Sequence, residues 1–214
     1  MDPEPTAGAH VSTRERILDA AYQVMHTHGL AHSTTKEIAR AAGYSEATLY
    51  KHFRDKTDLF TAVLMERLPS ALPALLSGLA DRAGRGDLAA TLEEVARAAM
   101  AFYTDAFPMA ASVFAEPALL ASHRAALAER GAGPGTVSAA LADYLEAERR
   151  AGRLAPSADP ASLADLLLGA CFQHAFLSHF PGPRERAAEE HRRLARDLVA
   201  ALLQSAAPPD RPAR

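Results

Sequence analysis

Residues 34–60 constrain the fold of this chain more than any other segment. Thr34 and Glu37 form a capping box at the start of a short helix. Gly43 stands where the end of that helix needs a left-handed residue, and Ser45 is suited to cap the next helix. Two short helices joined by a tight glycine turn make a helix-turn-helix, the arrangement that places its second helix in the DNA major groove.

The second helix of this motif has an apolar side and a polar side at helical spacing. The residues expected to pack inside the motif are Leu49 and Phe53, with Ile38, Ala39 and Ala42. The residues expected to face solvent or DNA are Ala47, Lys51 and Arg54, flanked by Thr48, Tyr50 and His52. Asp55 caps the helix that follows. Lys56 lies in the first turn of that helix, where a nearby phosphate would offset the unfavourable dipole.

These residues resemble the DNA-binding segment of the TetR family of bacterial one-component transcription regulators. The matching residues are Thr34-Thr35, Glu37-Ile38-Ala39, Ala42-Gly43-Tyr44-Ser45, Thr48-Leu49-Tyr50-Lys51-His52-Phe53, Lys56 and Leu59. The later segments are similar to the C-terminal domain of the AefR-like branch. Tyr44, Glu46 and Ala47 depart from the family pattern, which concerns the operator sequence and not the fold.

The resemblance implies an all-α fold with two domains. Residues 12–58 are expected to form a three-helix helix-turn-helix DNA-binding domain, and residues 59–204 a helical ligand-binding and dimerisation domain. The implied function is that of a dimeric transcriptional regulator, a repressor that a small molecule releases from a palindromic operator.

Two sets of DNA-contacting residues are predicted. The resemblance assigns phosphate contacts to Thr35, Thr48, Tyr50, His52 and Lys56. Side-chain chemistry assigns base reading to Ser45, Glu46, Ala47 and Lys51. Lysine can donate to guanine, glutamate can accept from cytosine, and alanine can touch a thymine methyl group. For Glu46 the alternative is that an acid in the first turn of a helix simply interacts with the dipole.

The charge balance gives no global attraction to DNA. The formal net charge is -3, and residues 11–60 carry seven Lys or Arg against six Asp or Glu, a net of +1. Local charge at the recognition helix is therefore expected to supply the contacts. The single cysteine, the polar N-terminus and the lack of an 18-residue apolar run predict a cytoplasmic protein without a membrane segment.

Periodicity and prolines predict the remaining helices. The first is expected at residues 13–28, and others near 88–105, 135–151, 160–179 and 184–204. The fourth helix begins near Lys56, and Pro69 and Pro73 interrupt it, which leaves one kinked helix or two shorter helices open. Further prolines are expected to divide the following stretch into short helices; they are Pro108, Pro117 and Pro134.

The last two long helices are expected to form the dimer interface. One predicted face carries Leu163, Leu166, Leu167, Ala170, Cys171, His174 and Leu177, with Leu194, Ala195, Leu198, Val199 and Leu202 on the last helix. A different face carries Phe172, Phe176 and Phe180. A helix with two apolar faces must bury both, so one is expected to meet its own domain and the other a second copy of the chain. The alternative is an ordinary intramolecular core.

The middle helices contain a candidate site for an apolar or aromatic effector. Its predicted lining is Phe102, Tyr103, Phe172 and Phe176, with Gln173 and His174 as polar groups. For any one of these residues, plain core packing is the alternative. A same-fold regulator without a small-molecule inducer is a second possible function, and a helical enzyme or carrier protein is a third.

No cofactor, metal site or catalytic centre is predicted. The histidines lack the spacing of helical metal ligands, and a single cysteine does not favour a thiolate zinc site. Gly131, Gly133 and Gly135 are not a dinucleotide fingerprint, since no strand precedes them.

Overall fold

The computed structural model describes residues 12–29, 32–67, 71–180 and 187–208, and all regular secondary structure within these ranges is helical. The helices are α1 Thr13–His28, α2 Thr35–Ala42, α3 Glu46–His52, α4 Lys56–Glu66, α5 Leu72–Ser77, α6 Leu79–Arg82, α7 Leu88–Ala115, α8 Pro117–Glu129, α9 Pro134–Arg150, α10 Pro160–Ser178 and α11 Ala187–Ser205. The predicted all-α fold is thus confirmed. The predicted start of the last helix near residue 184 lies outside the described residues.

The chain divides into two compact units, each with its own core. The first contains α1–α4 together with residues 108–126, and the second contains the remaining described residues. The domain boundary predicted between residues 58 and 59 falls inside α4. All of α4 belongs to the first unit, because Leu59, Phe60 and Val63 are buried in the same cluster as the apolar side chains of α1–α3.

Three ion pairs join α1 to the C-terminal end of α4 in the first unit. The Arg14 guanidinium donates two hydrogen bonds to the Glu66 carboxylate, at 2.7 and 2.8 Å. Arg67, directly after α4, donates to Asp19 at 2.7 Å and also to Glu15. The Arg67 side chain is 18% exposed, so these charge-assisted bonds lie partly out of water.

The fourth helix ends earlier in the structure than its apolar pattern predicts. α4 stops at Glu66, and a separate helix α5 begins at Leu72 with Pro73 in its first turn. A proline is tolerated there because the first backbone N–H groups of a helix have no intrahelical acceptor. Pro69, the other predicted interruption, lies outside the described residues.

Pro108 lies inside α7, so the prediction that it ends a helix is wrong. Pro117 and Pro134 do begin helices, as expected. An interior proline costs about 3 kcal/mol or more. Met109 and Val113, which follow it, are buried in the core of the first unit. Burying each such side chain is worth about 1.5–3 kcal/mol, which offsets the missing hydrogen bond and keeps the helix continuous.

The two faces of α10 differ from the predicted division. Its buried face carries Leu163, Ala164, Leu167, Leu168, Cys171 and Ala175. Its exposed face carries Leu166, Phe172, Phe176 and Leu177, and Phe180, two residues after the helix, is also exposed. Leu166 and Leu177 are thus exposed like the phenylalanines and are not buried with Leu163. The sequence pattern showed which residues are apolar, but it did not show which of them a neighbouring helix covers. On α11, Leu194 and Leu198 pack against the core of the second unit.

By length and mean hydropathy (1.2), α10 is also apolar enough to cross a membrane. A core helix can meet the same criterion, and 33% of this segment is buried within the protein. Its buried face contributes to the core of the second unit. The exposed apolar face is thus the feature of α10 that needs a partner.

A buried carboxylate holds the loop before α7. Glu148 of α9 has no exposed surface and accepts hydrogen bonds from the Gly84 amide at 3.1 Å and from Arg153. Arg153 also donates to the Gly86 carbonyl at 2.7 Å. Burial raises the pKa of the Glu148 carboxyl, but the bonds from Arg153 and Gly84 outweigh it and hold that pKa below its usual range.

Replacing Arg153 with Met should destabilise the protein by about 3–5 kcal/mol at pH 7, since it leaves Glu148 charged, buried and without its cation. Urea unfolding measures this change. In the wild type the lowered pKa of Glu148 adds stability above the pKa of the unfolded chain, and this contribution is lost as the pH falls through the folded-state pKa. The difference between wild type and variant should therefore shrink near pH 4.

Arg150→Met is the matched control. Arg150 pairs with Glu146 at 3.0 Å, but its side chain is 71% exposed, and exposed pairs contribute about 0–1 kcal/mol. An equal loss of stability in the two variants would show that burial of Glu148 is not the cause.

Candidate nucleic-acid interface

The turn between α2 and α3 is a Schellman motif. Gly43 adopts the left-handed conformation, with φ 78° and ψ 25°. The Gly43 amide donates to the Arg40 carbonyl at 3.1 Å, and the Tyr44 amide donates to the Ala39 carbonyl at 2.9 Å. These bonds satisfy carbonyls that the end of α2 would otherwise leave unpaired. The predicted glycine turn is confirmed.

Each helix of the motif begins at a side-chain cap. Thr34 accepts a hydrogen bond from the Glu37 amide, Ser45 from the Thr48 amide and Asp55 from the Asp58 amide. The Ser45 hydroxyl also lies 2.9 Å from the Thr48 hydroxyl. Caps of this kind stabilise a helix by about 1 kcal/mol each, which matters for helices as short as α2 and α3.

The inner face of α3 fixes its orientation. Leu49 has no exposed surface, and Phe53, the extended residue that follows α3, is 2% exposed. Both pack in one cluster with Ile38, Ala39 and Ala42, as predicted, and with Ile17 and Leu18 of α1. Truncating a buried Leu or Phe costs about 2–5 kcal/mol, so this packing is strong enough to hold a seven-residue helix in place.

The outer face of α3 is polar and accessible. The predicted contact residues Ala47, Tyr50, Lys51 and His52 are exposed, and so is Ser45 before the helix. Lys51 has no carboxylate partner among the described residues. Arg54, by contrast, lies 3.5 Å from Asp58, and the Lys56 ammonium lies 5.0 Å from the centroid of the Phe60 ring.

Three predicted contact residues are joined across the turn. Thr35 Oγ1 lies 2.5 Å from Glu46 Oε1 and 3.3 Å from the Tyr50 hydroxyl. Thr35 is only 9% exposed, whereas Tyr50 is 46% exposed. The sequence pattern did not reveal this link, because Thr35 and Glu46 lie eleven positions apart on different helices.

Arg16 of α1 is a further residue that the sequence did not single out. Its guanidinium lies 5.2 Å from the centroid of the Tyr44 ring. Cation–π contacts at exposed sites contribute about 0.5–1 kcal/mol. Tyr44, one of the departures from the family pattern, thereby helps to attach the turn to α1.

The predicted effector residues of α7 and α10 do come together in the second unit. We call Phe102, Tyr103, Phe107, Phe172 and Phe176 the ring cluster. The ring centroids of Tyr103 and Phe172 are 5.5 Å apart, and those of Phe107 and Phe176 are 5.3 Å apart. Burial raises the pKa of the Tyr103 hydroxyl. Phe172 is nevertheless 49% exposed and Phe176 is 38% exposed, so the cluster forms an open surface.

The polar groups of this site differ in their surroundings. Gln173 is exposed. His174 is partly buried, and its ring centroid lies 5.4 Å from that of His191 on α11. Burial and the neighbouring His174 lower the pKa of His191. No group of three or more potential metal ligands occurs in the part of the chain that the structure describes.

A separate cleft of about 780 Å³ lies between α7 and α11. Its lining is charged and consists of Glu93, Arg97, Glu189, Glu190, Arg192, Arg193 and Arg196. None of the predicted effector residues lines it.

Comparison with known proteins agrees with this geometry. The sequence profile of the family described as "Bacterial regulatory proteins, tetR family" matches residues 17–63. The transcriptional regulator YvkB of Bacillus subtilis (strain 168) is 46% identical over 54 residues, which are 25% of this chain and 29% of YvkB. The transcriptional repressor BepR of Brucella suis biovar 1 (strain 1330) is 42% identical over 59 residues, which are 28% of each protein. These matches span less than a third of the relatives' length.

The likeness in fold extends over nearly the whole chain. A solved structure from Mesorhizobium loti MAFF303099, assigned to the TetR family, aligns with a TM-score of 0.73. The alignment covers 94% of this chain and 100% of that one, at 22% sequence identity. At this identity the comparison establishes the fold alone, whereas the family profile matches only residues 17–63.

Proposed function

We propose that this chain is a homodimeric repressor of the tetR family of bacterial regulatory proteins, whose profile matches residues 17–63. It binds a palindromic operator and is released by a small apolar or aromatic ligand. The observation that carries this proposal is the accessible outer face of α3, with Lys51 unpaired among the described residues. The relatives are regulators, so the enzyme or carrier alternative is not retained.

The chemistry of the outer face supports base reading by α3. Lys51 offers an ammonium to guanine acceptors, and Ala47 offers a methyl group to thymine. Tyr50 and His52 are exposed on the same helix and offer donors to phosphates. Since the net charge of residues 11–60 is only +1, a small number of such contacts must supply most of the affinity.

Two lysine substitutions should separate base reading from phosphate binding. Lys51→Ala should lose about 1–3 kcal/mol of binding free energy on the preferred site and relax the base preference there. Lys56→Ala should weaken binding to all DNA sequences alike, because phosphate contacts carry no base information. It should also lower the slope of log affinity against log salt concentration by about one. Fluorescence anisotropy with the DNA upstream of the chain's own gene, titrated with salt, measures both effects.

Arg150→Ala, an exposed cation in the second unit, serves as the control and should bind as the wild type does. If Lys51→Ala kept both its affinity and its base preference while remaining folded, α3 would not be the recognition helix.

The exposed face of α10 supports dimerisation through the last two helices. Leu166 is 64% exposed, Leu177 is 53% exposed and Phe180 is 72% exposed. Apolar side chains grouped on one helix face mark a protein contact more often than isolated ones do. A second copy related by a two-fold axis would cover this face with the same face of its own, and it would place two α3 helices on two operator half-sites.

Leu166→Glu should yield monomers and abolish operator binding while leaving the monomer folded, because Leu166 contributes little to the core of its own unit. Leu198, by contrast, packs against that core, so a charge there would combine two effects. Light scattering at micromolar concentration reports the assembly, and thermal unfolding reports the fold.

Phe114→Glu gives a matched control, since Phe114 is 72% exposed but lies in the first unit. It should remain dimeric. A monomeric wild type at micromolar concentration would overturn the proposed assembly.

The ring cluster supports an aromatic or apolar effector, with His174 or Gln173 near its polar end. A ligand whose free concentration is 100 times its Kd stabilises a protein by about 2.7 kcal/mol. It releases DNA only if it prefers the DNA-incompetent conformation. The openness of the cluster also favours the alternative function, a regulator of the same fold with no small-molecule inducer.

Phe172→Ala should reduce the rise in melting temperature that an effector produces and leave DNA affinity without effector unchanged. Because Phe172 is half exposed, the substitution should cost less than the roughly 3–5 kcal/mol of a buried Phe. The measurement is thermal unfolding with a panel of small aromatic and aliphatic compounds. A panel that leaves the wild-type melting temperature unchanged would favour the alternative function.

A further inference from the structure

The hydrogen bonds among Thr35, Glu46 and Tyr50 have a defined direction. A carboxylate only accepts hydrogen bonds, and a threonine hydroxyl has a single proton. Thr35 therefore donates to Glu46 Oε1, 2.5 Å away. With its proton engaged, Thr35 can only accept at its second contact, so the Tyr50 hydroxyl is the donor across 3.3 Å.

This direction separates the roles of the two hydroxyls. Thr35 is 9% exposed and has no proton left for a phosphate. Tyr50 is 46% exposed and holds only a long bond, which a phosphate oxygen can readily replace. Tyr50 thus remains available to DNA, whereas Thr35 is committed to the carboxylate.

Glu46 is in turn held at a position suited to base reading. It is the first residue of α3, and the N-terminal residues of a recognition helix are the ones that reach base edges. One carboxylate oxygen is anchored by Thr35, and the other makes no hydrogen bond among the described residues. A carboxylate repels phosphates but can accept from an exocyclic amino group, for which the cytosine N4 group is the usual partner of Glu.

We propose that Glu46 is a specificity-determining residue that selects cytosine, and that Thr35 is a positioning residue that holds the Glu46 carboxylate in its reading orientation. The inference rests on the proposed function, since it assumes that α3 enters the major groove. Anchoring from α2 reduces the side-chain entropy that Glu46 loses when it meets a base. Glu46 then discriminates in two ways, by accepting from the right base and by repelling DNA on which no amino group faces it.

The test is a selection from randomised double-stranded oligonucleotides with the full chain. The wild type should enrich a palindromic motif with cytosine at one position of each half-site. In Glu46→Gln that preference should fall on the order of tenfold, as expected for one base contact, and affinity for unrelated DNA should rise because a negative charge is removed. Glutamine is nearly isosteric and can still accept from Thr35, so the fold is preserved.

Thr35→Val distinguishes positioning from contact. Valine keeps the shape of Thr35 but cannot hold the carboxylate, so the cytosine preference should weaken while affinity for unrelated DNA stays unchanged. Loss of a phosphate contact would instead weaken binding to all sequences alike. Glu37→Gln, a carboxylate in the first turn of α2, is the control and should leave the motif as it is.

The outcomes separate this inference from the function on which it rests. A wild type that enriches no motif rejects sequence-specific DNA binding itself and the inference with it. A wild type that enriches a motif which Glu46→Gln leaves unchanged rejects the inference alone. In that case a lower melting temperature of the variant would assign Glu46 to the turn as a purely structural residue.

Discussion

The left-handed conformation of Gly43 is the constraint on which the DNA-binding unit depends. A Cβ atom at this position would meet only Arg16 Nη2, at 3.9 Å, so the constraint is conformational and not a lack of space. A residue with a Cβ atom would face a cost of about 1–2 kcal/mol there, with Asn and Asp the best tolerated. The turn directs α3 so that Leu49 and Phe53 reach the core, and it brings Glu46 beside Thr35. Core packing and the polar outer face of α3 therefore both depend on this one backbone conformation.

Sequence reasoning succeeded where the determining interactions are local. The caps at Thr34, Ser45 and Asp55 act within three residues of themselves, and α1 spans the predicted residues 13–28. It failed at Pro108, because burial of the following residues in a core is a long-range effect. The link from Thr35 to Glu46 was missed for the same reason. The DNA-contact and effector assignments remain predictions, since they concern contacts with DNA and with a small molecule, which the sequence of this chain does not specify.

The two faces of α10 in the second unit lie in different environments. Its buried face contributes Leu167, Leu168 and Cys171 to the core, where burial raises the pKa of the Cys171 thiol to about 12. The thiol is thus a packed group that donates to the Ala96 carbonyl at 3.6 Å and is not a reactive one. The other face leaves Leu166 and Phe172 in water. A bound effector and a second copy of the chain would both contact this exposed face of α10. Dimer assembly and the response to ligand would therefore not be independent.

The ion pairs between α1 and α4 have a mechanical consequence. Arg14 donates to Glu66, and Arg67 donates to Asp19 and Glu15. These ion pairs lie at the end of α4 opposite to its cap at Asp55. The shared core holds the rest of α4, through Leu59 and Val63. A force applied at residue 67 would therefore turn α1 and α4 together instead of bending α4 along its length. The helix-turn-helix, which shares this core, would move with α1 and α4 as one rigid body.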